Sequence, residues 1–291
     1  MRALGIEVSD ALARRWADWF APTLQPFLVD AELAAAVGGV EDHPLVDEVR
    51  DTFCLYGAPD GVRCVWLDEQ AFAELPRGRR ASLLRAQRTY GRELVPSVRR
   101  WEPLLGGRAR EQVDGHRFVW WPSLLAGVEE EVLVDHVEDG RWASRHEEVP
   151  ERVWSAIEDL LPGARRLAGT FPGASGPNCF GAVMAAAGTP GAEQVWMQRE
   201  PFEQWLATST RPGGGDDDSG TVLVWRSPDG LVQHAAVTLG EGWALHKPSQ
   251  GWMSPTKVLT VAECKASARA AGRRLSRRTL TRDGDAGRQT P

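Results

Sequence analysis

Two β-rich runs joined by a glycine turn constrain this chain more than any other feature. Residues 231–239 (LVQHAAVTL) form the first run, Gly240-Glu241-Gly242 the turn, and residues 243–246 (WALH) the start of the return strand. A tight three-residue loop sets Leu239 opposite Trp243 and Ala236 opposite His246. His234 and His246 then share one sheet face as diagonal neighbours, within about 7–8 Å of each other. A slip of one residue in either strand would separate them.

Upstream lies Cys179, in the turn-prone stretch Ser175-Gly176-Pro177-Asn178-Cys179, followed by an apolar run that reads as a short helix stopped by Gly188. A thiol at a helix N-terminus faces unpaired N–H groups and the positive end of the helix dipole. Its pKa is therefore expected below the free value of about 8.5. Cys179 as nucleophile, His234 as proton acceptor and His246 as the group that orients the imidazole make a Cys-His-His triad, suited to an amide or thioester carbonyl.

These residues resemble the NlpC/P60 cysteine peptidases and acyltransferases, a family with a papain-like fold. The resemblance runs over residues 167–262 and is carried by Cys179 opening a helix, by Gly220-Thr221-Val222-Leu223-Val224-Trp225, by the His234 strand with its glycine turn, and by His246. The chain departs from the family pattern at Asn178 and Phe180, which flank the cysteine, and at Thr221. No tyrosine occurs in residues 169–173, where the family places one that helps bind the oxyanion. The oxyanion would be held by the Cys179 N–H and a side chain, with Asn178 and Thr170 as candidates.

The resemblance implies an α+β fold in which a cysteine-bearing helix packs on an antiparallel sheet. The implied activity is that of a cysteine-dependent hydrolase (amidase or peptidase) or acyltransferase on a peptide-like or acyl small-molecule substrate. No cofactor or metal is called for, because neither a C-x-x-C nor an H-x-x-x-H spacing occurs. The competing reading is a catalytically inactive module that keeps the fold and binds through a Trp-rich surface, since 13 Trp are many for 291 residues.

A net charge of −6 argues against a dedicated nucleic-acid binder. No stretch approaches the roughly 20 apolar residues that span a bilayer, and the N-terminus lacks a signal-peptide core, so a cytoplasmic address is expected. The chain is read as a helix-rich α+β region over 1–150, a thiol-enzyme domain over 151–264, and a basic, disordered tail over 265–291, where eight Lys or Arg stand against two Asp.

Within the first region, residues 11–20, 30–37 and 79–94 read as helices, the last with a basic solvated face that includes Arg88 and Arg92. Residues 117–121 and 131–137 read as strands. Residues 52–56 and 62–67, about a Gly57–Gly61 turn, read as a hairpin with Cys54 opposite Cys64 as free thiols. His116, His136 and His146 are given surface or structural roles. The acidic run Asp216 to Asp218 is read as part of a solvated loop between a helix at 196–206 and the strand that follows.

Overall fold

The computed structural model describes residues 1–57, 59–111 and 116–281. The fold is mixed α+β. The chain divides into two compact units, one formed by residues 9–136 and the other by residues 2–8 together with the chain from 137 onward. The division thus falls some way before residue 150, and a short N-terminal strand pair belongs with the second unit. Its strands are β1 (Arg2–Ala3) and β2 (Ile6–Glu7). The Leu4 carbonyl is tied to that unit by the Ser144 N–H at 2.8 Å.

The first unit is built on an antiparallel ribbon of β3 (Leu24–Val29) and β4 (Arg63–Asp68). A two-stranded ribbon leaves backbone groups unpaired at its edges. Gln87, from the Arg77–Thr89 helix, takes the place of a missing neighbour strand. Its Oε1 accepts the Leu28 N–H at 2.7 Å, and its Nε2 donates to the Leu28 carbonyl at 2.9 Å. Arg92 Nε donates to the Pro26 carbonyl at 2.8 Å, and the guanidinium lies over the rings of Phe27 and Phe53 at 4.8 and 4.2 Å. Arg92 is therefore a buried structural cation and not part of a solvated basic face. Phe27, Val65, Leu67, Phe72, Leu83 and Trp121 close the core around the ribbon.

Three expectations fail in this unit. The 52–56 run ends a helix, Asp47–Phe53, whose buried Val49, Thr52 and Phe53 follow helical spacing; Cys54 closes it in the left-handed conformation. Gly57 and Gly61 do adopt positive φ, but β4 pairs with β3, so Cys64 faces Leu28 and not Cys54. Residues 131–137 lie in a helix, Glu129–Glu138, because three glutamates in its first turn favour a helix N-terminus and Val132, Leu133 and Val137 share its inner face. Residues 117–121 form no strand; an isolated bridge pairs Arg117 with Ser97, outside the sheets.

The second unit holds a six-stranded antiparallel sheet of β5 (Thr210–Pro212), β6 (Thr221–Arg226), β7 (Val232–Gly240), β8 (Trp243–His246), β9 (Lys257–Thr260) and β10 (Arg274–Leu280). The strand order is β5-β10-β6-β7-β8-β9. One face carries Val222, Val224, Ala235, Val237, Leu245 and Val258 against the Glu151–Ile157, Cys179–Ala186 and Arg199–Ser209 helices. The other carries Leu223, Trp225, Ala236, Ala244 and Leu259 against the Val261–Ser267 helix, which begins in a Thr260–Glu263 capping box. Burial on both faces explains why β6 and β7 are apolar almost throughout.

β10 corrects the expectation of a disordered tail as far as residue 281; residues 282–291 lie outside the described residues. The strand is poor in apolar residues, yet it pairs on both sides and two of its arginines are absorbed locally. Arg277 meets Asp216 at 2.9 Å, Lys265 also pairs with Asp216, and Arg278 donates to the Thr210 carbonyl at 3.0 Å. The acidic loop and the basic C-terminal segment thus neutralise each other.

The Cys179–Ala186 helix sits so close to its neighbours that a Cβ on Gly181 would lie 2.2 Å from the Ala192 carbonyl oxygen. Gly181→Ala is expected to destabilise the chain by about 1–3 kcal/mol through overpacking. Urea unfolding followed by tryptophan fluorescence checks this, and an unchanged midpoint would refute the close approach.

Candidate functional site

The cysteine is placed by a capped helix. Asn178 is the N-cap of the Cys179–Ala186 helix: its Oδ1 accepts the Gly181 N–H at 3.1 Å and its Nδ2 donates to the Met197 carbonyl at 2.8 Å. Every residue of that helix is buried, so the thiol enters the site from a rigid, apolar support.

The two histidines are placed by the glycine turn. Ala236 pairs with His246, as the alternation along the strands predicts. The turn itself is tighter than expected. Glu241 and Gly242 take φ of 49° and 79°, Gly240 faces Trp243, and an irregularity between Thr238 and Gly240 absorbs the extra residue. His234 Nε2 and His246 Nε2 lie 2.8 Å apart, with the ring planes at 88°. One ring donates and the other accepts, so the pair holds a single proton between two nitrogens.

Both rings are neutral. Burial pulls His234 down to about 4, with a smaller push from the Arg273 charge. Burial holds His246 well below the ordinary histidine range, reinforced by repulsion from His234, Lys257 and Lys247. His246 Nδ1 is buried with no hydrogen-bond partner. Lys257, directly across the ladder from His246, is itself lowered to about 8 by burial, and its ammonium donates to the Trp142 carbonyl at 2.6 Å.

The β7–β8 ladder ends at the Ala236–His246 pair, and Lys247 is the first residue beyond it. Backbone N–H groups of Ala235, Phe180 and Cys179 act on the Cys179 sulfur there, as does the charge of Lys247. These all favour the thiolate, as a helix N-terminus should. Burial outweighs them and pushes the thiol up to about 11, the reverse of the expected lowering. The sulfur thus lies beside the backbone of the residue that follows His234. No hydrogen bond joins it to either ring among the described residues.

Beside this junction lies a cavity of about 420 Å³ whose wall includes Thr170, Ser175, Asn178, Lys247 and Thr256. Thr170 and Asn178 both border it. The Thr170 hydroxyl donates to the Leu167 carbonyl at 2.6 Å, and the Asn178 amide is spent on capping and on Met197. The rim is latched by the Gly176 N–H on the Gln250 carbonyl at 2.9 Å and by the Trp252 N–H on Ser175 Oγ at 3.2 Å.

Sequence reasoning missed Lys247 and Lys257, both buried. Lys257 carried one signal, a lysine opening the apolar run Lys257-Val258-Leu259; a lysine at the end of a strand, as Lys247 is, normally reads as solvated. Of the tryptophans, Trp142 and Trp196 are exposed while Trp16, Trp120, Trp121 and Trp252 are fully buried, so most of the aromatic surplus serves the cores. His146 Nδ1 contacts Ser144 Oγ at 3.0 Å, and the His136 ring packs on Phe20. Among the described residues, no group of three His, Cys, Asp or Glu could hold a metal ion, and no helix is long and apolar enough to cross a membrane.

The neutral histidines predict an acid-sensitive fold. An unfolded histidine takes a proton near 6.5, and His234 in the fold near 4. The stability they contribute is therefore complete above about pH 6.5 and lost as pH falls toward 4. His234 accounts for about 3 kcal/mol of the loss by pH 4. Urea titrations between pH 7.5 and 4 should show a shallower decline in the His234→Gln/His246→Gln double variant, and equal slopes would refute the assignment.

No protein-family model matches the chain, nor does any curated protein or solved structure.

Proposed function

We propose that the second unit is a cysteine-dependent acyl-transfer domain arranged like the papain-like NlpC/P60 enzymes, acting as an amidase or peptidase or as an acyltransferase. The observation that carries this reading is the 2.8 Å contact between His234 Nε2 and His246 Nε2, next to the residue whose N–H meets the Cys179 sulfur. Two buried polar rings satisfy each other in the way a base and its orienting partner do.

The roles follow from which nitrogen is committed. With His246 accepting the His234 Nε2–H, His234 Nδ1 is left bare to take the thiol proton. As sulfur bonds to the carbonyl carbon of an amide or thioester, that proton moves to Nδ1 and the carbonyl π electrons move onto oxygen. Collapse of the tetrahedral adduct breaks the bond to the amine or thiol, which leaves with the proton from His234. Water or an amine then attacks the S-acyl group, returns a proton through His234 and releases the thiol.

The sealed thiol favours a second reading, a binding module that keeps the fold without the chemistry. The two separate in an acylation experiment. The full chain is incubated with a panel of acyl thioesters and activated amides, and adducts are mapped by mass spectrometry. Acylation is expected on Cys179, absent in Cys179→Ala and slowed about 10²–10⁴-fold in His234→Ala. Adducts on the exposed Cys54 with Cys179 untouched would leave only the binding module.

A further inference from the structure

Charge beside the sulfur is the part of the site that the triad does not explain. Lys247 follows His246 directly, where β8 leaves the ladder, and only 3% of it is exposed. Its ammonium donates to the Ser254 carbonyl, and its side chain forms part of the wall of the 420 Å³ cavity, with Asn178, the neighbour of Cys179, in the same wall. Lys247 thus stands in the wall of the cavity, and its charge acts on the thiol. The Thr170 hydroxyl that the sequence offers for an oxyanion donates to the Leu167 carbonyl, and one N–H of the Asn178 amide donates to the Met197 carbonyl.

Lys257 is the natural comparison, being equally buried and also close to His246. Its ammonium is directed at the Trp142 carbonyl, and its charge is felt by His246 and not by the Cys179 sulfur, whereas Lys247 acts on both. An ammonium also suits the task chemically. A cation fixed in place can stabilise a developing thiolate or oxyanion without moving during the reaction.

We propose that Lys247 is the charge-stabilising residue of the site, its buried ammonium favouring the Cys179 thiolate and the oxyanion that forms on a carbonyl held in the adjoining cavity. This rests on the thiol-enzyme reading and adds to it the cation that such a site needs. The alternative role for Lys247 is a structural strut that holds the Ser254 segment.

The pH profile of alkylation distinguishes them. Iodoacetamide labelling of Cys179 in the full chain is followed by mass mapping across pH 6–11. Lys247→Met is expected to slow labelling about tenfold throughout the range below the thiol midpoint, as a one-unit rise in that midpoint requires, while Lys247→Arg keeps the wild-type rate. A folded Lys247→Met chain with the wild-type profile would overturn the proposal and make the lysine a strut. Should the Met variant fail to fold, Lys247→Ala with added ethylammonium carries the test: the wild-type labelling rate returns with the cation if charge matters, and an indifferent rate rejects the idea. His234→Ala separates the two levels. If it leaves the Cys179 profile unchanged, the thiol–imidazole reading fails; if it alters the profile while Lys247→Met does not, only the lysine assignment fails.

Discussion

The contact between two uncharged imidazoles is the interaction on which the rest of the second unit depends. Each ring alone would be a buried polar group short of a partner, a deficit worth about 1–3 kcal/mol. Together they share one proton at 2.8 Å, and the sheet is built so that they must meet. The Ala236–His246 pair fixes the register and ends the ladder, and the N–H of the adjacent Ala235 meets the Cys179 sulfur. A slip of one residue would turn one ring toward the opposite core, so the glycine turn and the irregularity after Thr238 are what position the chemistry.

The helix that delivers the sulfur shows the opposite economy. It carries no charged side chain, is buried along its whole length and leaves no room for a Cβ at Gly181, while Asn178 closes its first turn and ties it to Met197. Such packing fixes where the sulfur lies at the expense of its ionisation. Burial outweighs the N–H groups and the lysine in setting the thiol near 11. A free, solvated cysteine in the same turn would show the lowering that sequence reasoning predicts.

Period-two alternation made the histidine pair legible, since parity along a strand survives small errors in the loop. The expected three-residue turn is in fact two residues with positive φ, yet Ala236 still faces His246, because the irregularity takes up the difference. The helices that begin beside Ser9, Asp30 and Asn178 were legible too, whereas those capped by Asp68 and Thr260 were not read. What failed depended on partners distant in sequence. β10 looks like a solvated basic run until Asp216 and two neighbouring strands receive it, and Arg92 looks like surface until Phe27, Phe53 and the β3 carbonyls surround it. The acidic first turn of the Glu129–Glu138 helix was a local signal, outweighed by the β-branched run behind it.

Low dielectric gives the site both its inertness at rest and its capacity to react. Removing water from around the sulfur and the two rings penalises every isolated charge, which is why all three groups are neutral. The same removal strengthens each fixed dipole and each retained charge, because a Coulomb interaction at an effective dielectric near 20 is about four times that in bulk water. The N–H groups of Ala235, Phe180 and Cys179 are already oriented, so they can meet a developing negative charge without reorganising. A site of this kind gains most from a cation held in place before reaction, and for that reason the residue after His246 matters as much to the argument as His246 itself.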